Sequence, residues 1–315
     1  MALQVVVGAG AVGVATARLL AARGDQVRLV SRRGTGPEHP SVERVGADAT
    51  DSAALARIAH GAVALYNCAA PPYHRWTLDW PPLANALLDT AEATGAVLVS
   101  AGNLYLYGPV DGPLTEDVPA RPAGPKARVR ARMWQDALAR HEAGRIRTAD
   151  VRASDHIGAG SQSMLTLAVL PRVLAGRRAS VPADLDAPRT WTAVGDVART
   201  LVAVADDEHA WGRAWHVPSV PPLSVREVVT RSCALADAPP PRLSTMPGFV
   251  LWLGGFADPL VRELRETQYQ FRGPFIMDST AAVAALGITA TPIDESLAET
   301  VSRPATEPAR PARRR

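Results

Sequence analysis

Through the first half of the chain, short apolar runs alternate with longer stretches in which apolar residues recur every three or four positions. The runs at 3–7, 26–31, 42–46, 62–67, 96–100 and 146–152 have the length and aliphatic content of strands buried in a sheet. The stretches at 14–23, 52–60, 80–94 and 126–143 carry the helical period, and Asp51 stands where an N-cap is needed. Repeated strand–helix units predict a doubly wound α/β fold around a parallel sheet. Ligands of such sheets bind beyond the strand carboxyl ends, which directs attention to 8–13, 31–34, 47–50, 67–80, 100–126 and 153–160.

Beyond residue 152 the alternation loosens. Residues 162–175 read as an apolar-periodic helix, 179–188 as a Pro/Asp loop, 194–205 as a helix of the sheet layer and 214–217 as a strand. Ser224 is the expected N-cap of a helix to Leu235, and Pro239, Pro240 and Pro241 mark a linker. Residues 249–256 are apolar all round, so they are read as buried or as a subunit interface, the basis for expecting a homodimer. This divides the chain into 1–152 with about 189–217 as one domain and 153–188 with about 218–302 as a smaller, substrate-covering one. Residues 303–315 are a Pro/Ala/Arg tail expected to be disordered.

The first strand runs into Gly8, Ala9, Gly10, Ala11, Val12 and Gly13, and a helix follows. Strand, glycine turn, helix and second strand within about 30 residues form the Rossmann dinucleotide fingerprint. Gly8 allows the tight turn, Gly10 the close approach of backbone N–H groups to a pyrophosphate, and Gly13 close helix–strand packing. After the second strand the chain reads Ser31, Arg32, Arg33, with no acid to bind a ribose 2′-hydroxyl and two guanidiniums for a 2′-phosphate. NADP is therefore preferred over NAD, the alternative being that these Arg are solvated loop charges.

Composition changes this picture little. The formal charge of +3 includes a net +4 in the tail, leaving −1 for residues 1–302, so nucleic acid is not an expected partner. Two Cys, Cys68 and Cys233, form no disulfide framework, and the first 22 residues lack the basic start of a signal peptide. A cytoplasmic protein with no membrane partner is expected. The seven His show no ligand spacing, so no metal is expected. Of 34 basic side chains, Lys126 alone is lysine.

Several segments, in order, resemble the extended or atypical short-chain dehydrogenase/reductases, the NAD-dependent epimerase/dehydratase superfamily. They are the glycine loop; Asp48 and Ala49 on the adenine side; Asn67, Cys68, Ala69 and Ala70 after the fourth strand; and Leu106, Tyr107 and Gly108 with Thr115, Glu116 and Asp117. Val151 to Gly158, with Ala153 and Ser154, and Arg189 to Ala198 complete the series. The resemblance implies Ser or Thr followed by Tyr-x-x-x-Lys as catalytic groups. Here Lys126 sits at the lysine position, Pro122 at the tyrosine position and Asn103 at the Ser/Thr position. Lys126 is thus a candidate for holding the ribose, or else an exposed helix-start lysine. Asn103 is a candidate for orienting substrate, and Tyr105 or His156 for supplying a proton. Tyr73, His74, Trp76 and Trp80, with Asp155, Arg189 and Trp191, are candidates for contacting an apolar or aromatic small molecule, or for plugging the loop.

The leading expectation is an NADP-dependent oxidoreductase acting on a small carbonyl, imine or conjugated substrate. The alternatives are a cofactor-retaining epimerase, dehydratase, lyase or cyclase, and a non-catalytic NADP(H) sensor.

Overall fold

The computed structural model describes residues 1–247 and 265–303; the apolar run at 249–256 and the tail from 304 lie outside the described residues. Seven strands, β1 (Leu3–Val7), β2 (Gln26–Ser31), β3 (Val42–Gly46), β4 (Ala62–Asn67), β5 (Val97–Asn103), β6 (Thr148–Ala153) and β10 (Ala214–His216), pair in the order β10-β6-β5-β4-β1-β2-β3. Every pairing is parallel. The order reverses direction between β1 and β4, and the crevice beyond their carboxyl ends is the place where such sheets bind ligands. Fold class and Rossmann topology are those expected from the alternation.

One face of the sheet packs against α1 (Ala11–Ala22) and α6 (Val194–Asp206) around Val6, Leu20, Val99, Leu201 and Trp215. The other packs against α2 (Ser52–Ile58), α3 (Trp76–Thr94) and α4 (Pro125–Glu142) around Val7, Leu55, Leu65, Trp80 and Leu87. Asp51 caps α2 as expected, its side chain accepting from the Ala54 N–H at 2.9 Å.

Three elements depart from the sequence reading. Helix α3 begins at Trp76, four residues before Trp80, although Pro81 and Pro82 lie inside it. Proline there costs two backbone hydrogen bonds, but Thr77 and Leu78, whose carbonyls lose them, are exposed to water, while Trp76, Trp80, Leu83 and Leu87 bury a continuous face. The expected helix at 162–175 is a π turn, Leu165–Val169, followed by the short α5 (Leu170–Leu174). Pro171 cannot donate to the preceding turn, and the wider turn accommodates it. The expected loop at 179–188 contains a strand, β8 (Ala179–Val181), paired with β11 (Leu243–Thr245).

A second small sheet pairs β7 (Asp155–Ile157) with β9 (Trp191–Ala193). Ile157, Leu165, Val173, Trp191, Val228 of α7 (Val225–Leu235) and Leu297 make a separate apolar cluster under it. Ser224 caps α7 in a full capping box with Glu227.

Candidate active site

The glycine loop turns between β1 and α1 against the end of β4. Gly8 has φ +108°, and a Cβ there would overlap the Cys68 backbone carbonyl. A Cβ on Gly13 would overlap the Gly8 carbonyl, so helix and loop touch at backbone level. Gly10, the N-cap of α1, is different: nothing lies within 4 Å of where its Cβ would be. The α1 N-terminus therefore opens onto free space with a bare backbone, which is the fit a pyrophosphate requires. Ala11 and Val12 form the first turn beside it. A Cβ on Gly160 would come into ordinary contact with the Ala11 side chain, at 3.7 Å, so the 158–161 turn runs close to the start of α1, and the next residue, Ser161, has a buried hydroxyl without a hydrogen-bond partner. These residues fit a dinucleotide.

The other expected cofactor residues lie at or just after the ends of β2, β3, β4 and β6. Ser31 binds Thr35 within the turn after β2, and Arg32 and Arg33 are exposed there. Asp48 accepts from the Thr50 backbone N–H at 3.0 Å and the Thr50 hydroxyl at 2.8 Å, which lowers its carboxyl below the usual range, with Arg32 adding to the effect. Ala49 packs on the α2–α3 side of the core. Asn67 is buried at the end of β4, donating to Ser100 and accepting from the Ala69 N–H at 3.3 Å. Burial pushes the adjacent Cys68 thiol up to about 12, so it stays protonated and lines the site as an apolar group. Ala70 is exposed and Ala69 half-buried beyond it. Ala153 ends β6 buried, and the Ser154 N–H donates to the Thr192 hydroxyl at 3.1 Å.

The head of α4 holds the lysine. Gly124 is its N-cap and offers no side chain, and Pro125 occupies the first turn. Pro122 lies before the helix, in a loop tied to Leu106 through the Arg121 N–H, so no helical turn ahead of Lys126 carries a phenol. Lys126 is not the exposed helix-start lysine that sequence alone left open: its side chain is only 3% exposed. Its ammonium lies 3.1 Å from Glu266 Oε2 and 4.7 Å from the centroid of the Tyr73 ring. Tyr73 in turn donates to the Tyr105 hydroxyl at 3.4 Å and lies 3.4 Å from the Thr267 hydroxyl. Asn103 ends β5, opposite Ala153, and its side-chain oxygen accepts from the Tyr105 N–H at 3.2 Å. Burial, with Tyr73 and Asp155 nearby, raises Tyr105 well above 10, so its phenol stays protonated. Lys126, Tyr73, Tyr105, Asn103, Glu266 and Thr267 thus form one cluster.

The other proposed substrate residues divide. Asp155 is partly exposed and paired with the buried Arg189, whose guanidinium lies between the rings of Phe271 and Trp191. His156, next along β7, is pushed below its ordinary 6.5 by burial, so it stays neutral near pH 7. His74 is exposed. Trp76 and Trp80 are core residues: Trp80 is fully buried, and Arg130 lies over both rings at 4.9 and 4.3 Å. Trp191 is likewise buried, donating its indole N–H to the Leu223 carbonyl at 2.9 Å. The expectation that these indoles line an open cleft is corrected: Trp76 and Trp80, one turn apart on α3, and Trp191 on β9 are large rings that the core buries.

Sequence reasoning missed Glu266, Thr267 and Arg130, and a buried chain of polar groups behind the site. Asp150 accepts from Arg152 Nε at 2.8 Å, Arg152 Nη1 donates to the Tyr107 hydroxyl at 2.6 Å, and that hydroxyl donates to His216 Nε2 at 2.7 Å. His216 Nδ1 donates to the Asp278 carbonyl at 2.7 Å, which fixes the tautomer. A cavity of about 30 Å³ lies beside this chain, lined in part by Arg130, Asp150, Asn67 and Ser100. The i, i+4 spacing of Lys126 and Arg130 was visible in the sequence; nothing local pointed to Glu266.

A doubly wound parallel sheet, a glycine loop at its switch point and an open helix N-terminus define a dinucleotide-binding α/β protein. The profile of the NAD dependent epimerase/dehydratase family matches residues 4–217, and the chain belongs to that family. No curated protein matches it by sequence. Solved structures share the whole fold. One is WbmH of Bordetella bronchiseptica in complex with NAD+, at 21% identity and TM-score 0.76, covering 96% of this chain and 98% of that one. A second is a double mutant of DesIV, a dTDP-glucose 4,6-dehydratase from Streptomyces venezuelae, at 22% identity and TM-score 0.75, covering 96% of each chain. A third is UDP-glucose 4-epimerase from Bifidobacterium longum with NAD+ and UDP, at 19% and 0.76, covering 95% and 97%. Among the described residues no helix is long and apolar enough to cross a membrane.

Proposed function

We propose that the protein holds a nicotinamide dinucleotide at the ends of β1, β2 and β4 and is a cofactor-retaining enzyme of the epimerase/dehydratase type. The observation that carries the proposal is the open, bare-backbone α1 N-terminus at Gly10, in a chain of this family. The similar structures named above include a sugar-nucleotide dehydratase and an epimerase, which supports this reading over net oxidoreduction. A bound nicotinamide would supply reversible hydride acceptance. The chain's own groups would do the rest. Gly8, Gly10 and Gly13 admit the pyrophosphate, Asp48 and Ala49 border the adenine, and Lys126 holds the ribose. Asn103 and Asp155 orient a small polar substrate over the protonated Tyr105, and His156 stands by as a neutral imidazole. On this reading residues 1–152 with about 189–217 hold the dinucleotide, and 153–188 with 218–302 cover the substrate.

The dinucleotide we propose is NADP, because Arg32 and Arg33 replace the acid that reads a 2′-hydroxyl. The NAD in the similar structures belongs to chains under 25% identical and does not decide this chain's preference. Titrating the protein with NADPH and NADH tests both points. NADPH is expected to bind about tenfold more tightly, with the advantage lost in Arg32→Ser/Arg33→Ser. Binding of neither below millimolar would sink the proposal. For the reaction, a panel of nucleotide-diphosphate sugars should give altered sugar without accumulation of reduced cofactor. Stoichiometric accumulation would favour the net oxidoreductase instead.

A further inference from the structure

Glu266 meets the head of α4 at three points. Its Oε1 accepts from the backbone N–H of Lys126 at 2.7 Å and of Ala127 at 3.3 Å, and its Oε2 pairs with Lys126 Nζ at 3.1 Å. The carboxylate therefore satisfies helix-start donors that Gly124 cannot reach, and places a negative charge at the positive end of the helix. A Cβ on Gly124 would overlap this carboxylate, so the glycine is the cradle in which it lies. The head of α4 supplies no polar side chain of its own, since Pro122, Ala123, Gly124 and Pro125 precede the lysine.

We propose that Glu266 is the positioning residue of this site, the counter-charge that fixes the one lysine toward the dinucleotide from 140 residues away. The part that concerns the dinucleotide rests on the function proposed above. The charge-assisted bond sets the direction of the ammonium, and the two amide bonds set the helix start against which it is measured. Glu266 acts through Lys126.

A single lysine makes the test selective, because amine-directed trace labelling followed by peptide mass spectrometry reads Lys126 separately from the N-terminal amine. Glu266→Gln keeps an oxygen for the backbone N–H groups and removes the charge. We expect the labelling rate of Lys126 at fixed pH to rise about tenfold in Glu266→Gln, with thermal melting close to the wild type. Glu266→Ala should raise the rate at least as far and also lower the melting temperature. NADPH should slow labelling in the wild type, and its Kd should rise about tenfold in Glu266→Gln. Unchanged labelling in both variants would overturn the pairing. Raised labelling with an unchanged Kd would overturn the positioning role. If the wild type binds no dinucleotide, the proposed function fails and the role toward it with it, while labelling still decides whether Glu266 holds Lys126.

Discussion

Gly8, Gly10 and Gly13 share a motif but not an environment, and this separates structural from binding roles at the scale of single residues. Alanine at Gly8 would strain a backbone at φ +108° and strike Cys68; at Gly13 it would strike Gly8. Each of those substitutions is expected to cost about 1–3 kcal/mol, read as a lower urea midpoint. Gly10→Ala meets nothing within 4 Å and should leave that midpoint unchanged while weakening NADPH binding. Equal loss of stability at all three positions would contradict this division. The motif was legible in sequence because tight turns leave glycine behind. Glu266 was not, since its partner is distant in the chain and a glutamate in a polar segment is unremarkable. Likewise Trp80 and Trp191 looked like ligand contacts, because a sequence shows an aromatic side chain but not which way the core will turn it.

Between elements, α4 meets α3 and the turn before it through charge on aromatic faces: Arg130 over Trp76 and Trp80 of α3, and Lys126 over Tyr73 of the preceding turn. The spacing of four between Trp76 and Trp80 on α3 meets the spacing of four between Lys126 and Arg130 on α4. Burial pulls the Arg130 guanidinium down to about 10, and its Nε has no hydrogen-bond partner, so its desolvation is poorly repaid. Arg152 is also buried, yet it bonds both Asp150 and Tyr107. Arg130→Met is therefore expected to change stability by less than about 1 kcal/mol, and Arg152→Met to cost about 3 kcal/mol by leaving Asp150 buried without its partner. Denaturant melts of the two variants check this, and similar losses would refute it. Four of the seven strand boundaries followed directly from the apolar runs. The helices that departed are α3, with Pro81 and Pro82 inside it, and the segment in which a π turn precedes Pro171 of α5; Pro125, at the first position of α4, disturbed nothing.

For the molecule as a whole, two imidazoles, the buried His216 and the partly exposed His156, give stability a pH dependence. Burial lowers both His156 and His216 below 6.5, so the native state keeps them neutral where the unfolded chain begins to take protons. The unfolded state then binds more protons, and stability falls as pH drops from about 6.5 toward the lowered native values. Above that range the two histidines contribute no slope. The urea midpoint should hold from about pH 8 to 7 and decline below, less steeply in His156→Gln; a flat midpoint to pH 5.5 would exclude this linkage. The long span between Lys126 and Glu266 carries a different consequence, one of timing. At typical rates of synthesis, residue 266 leaves the ribosome roughly 7–30 seconds after residue 126. By the end of that interval the residues of the glycine loop and of all seven strands of the large sheet have been synthesised, but the start of α4 still lacks its distant carboxylate. Ribosome-bound chains stopped before 266 should therefore be labelled at Lys126 faster than full-length chains, and equal rates would contradict this.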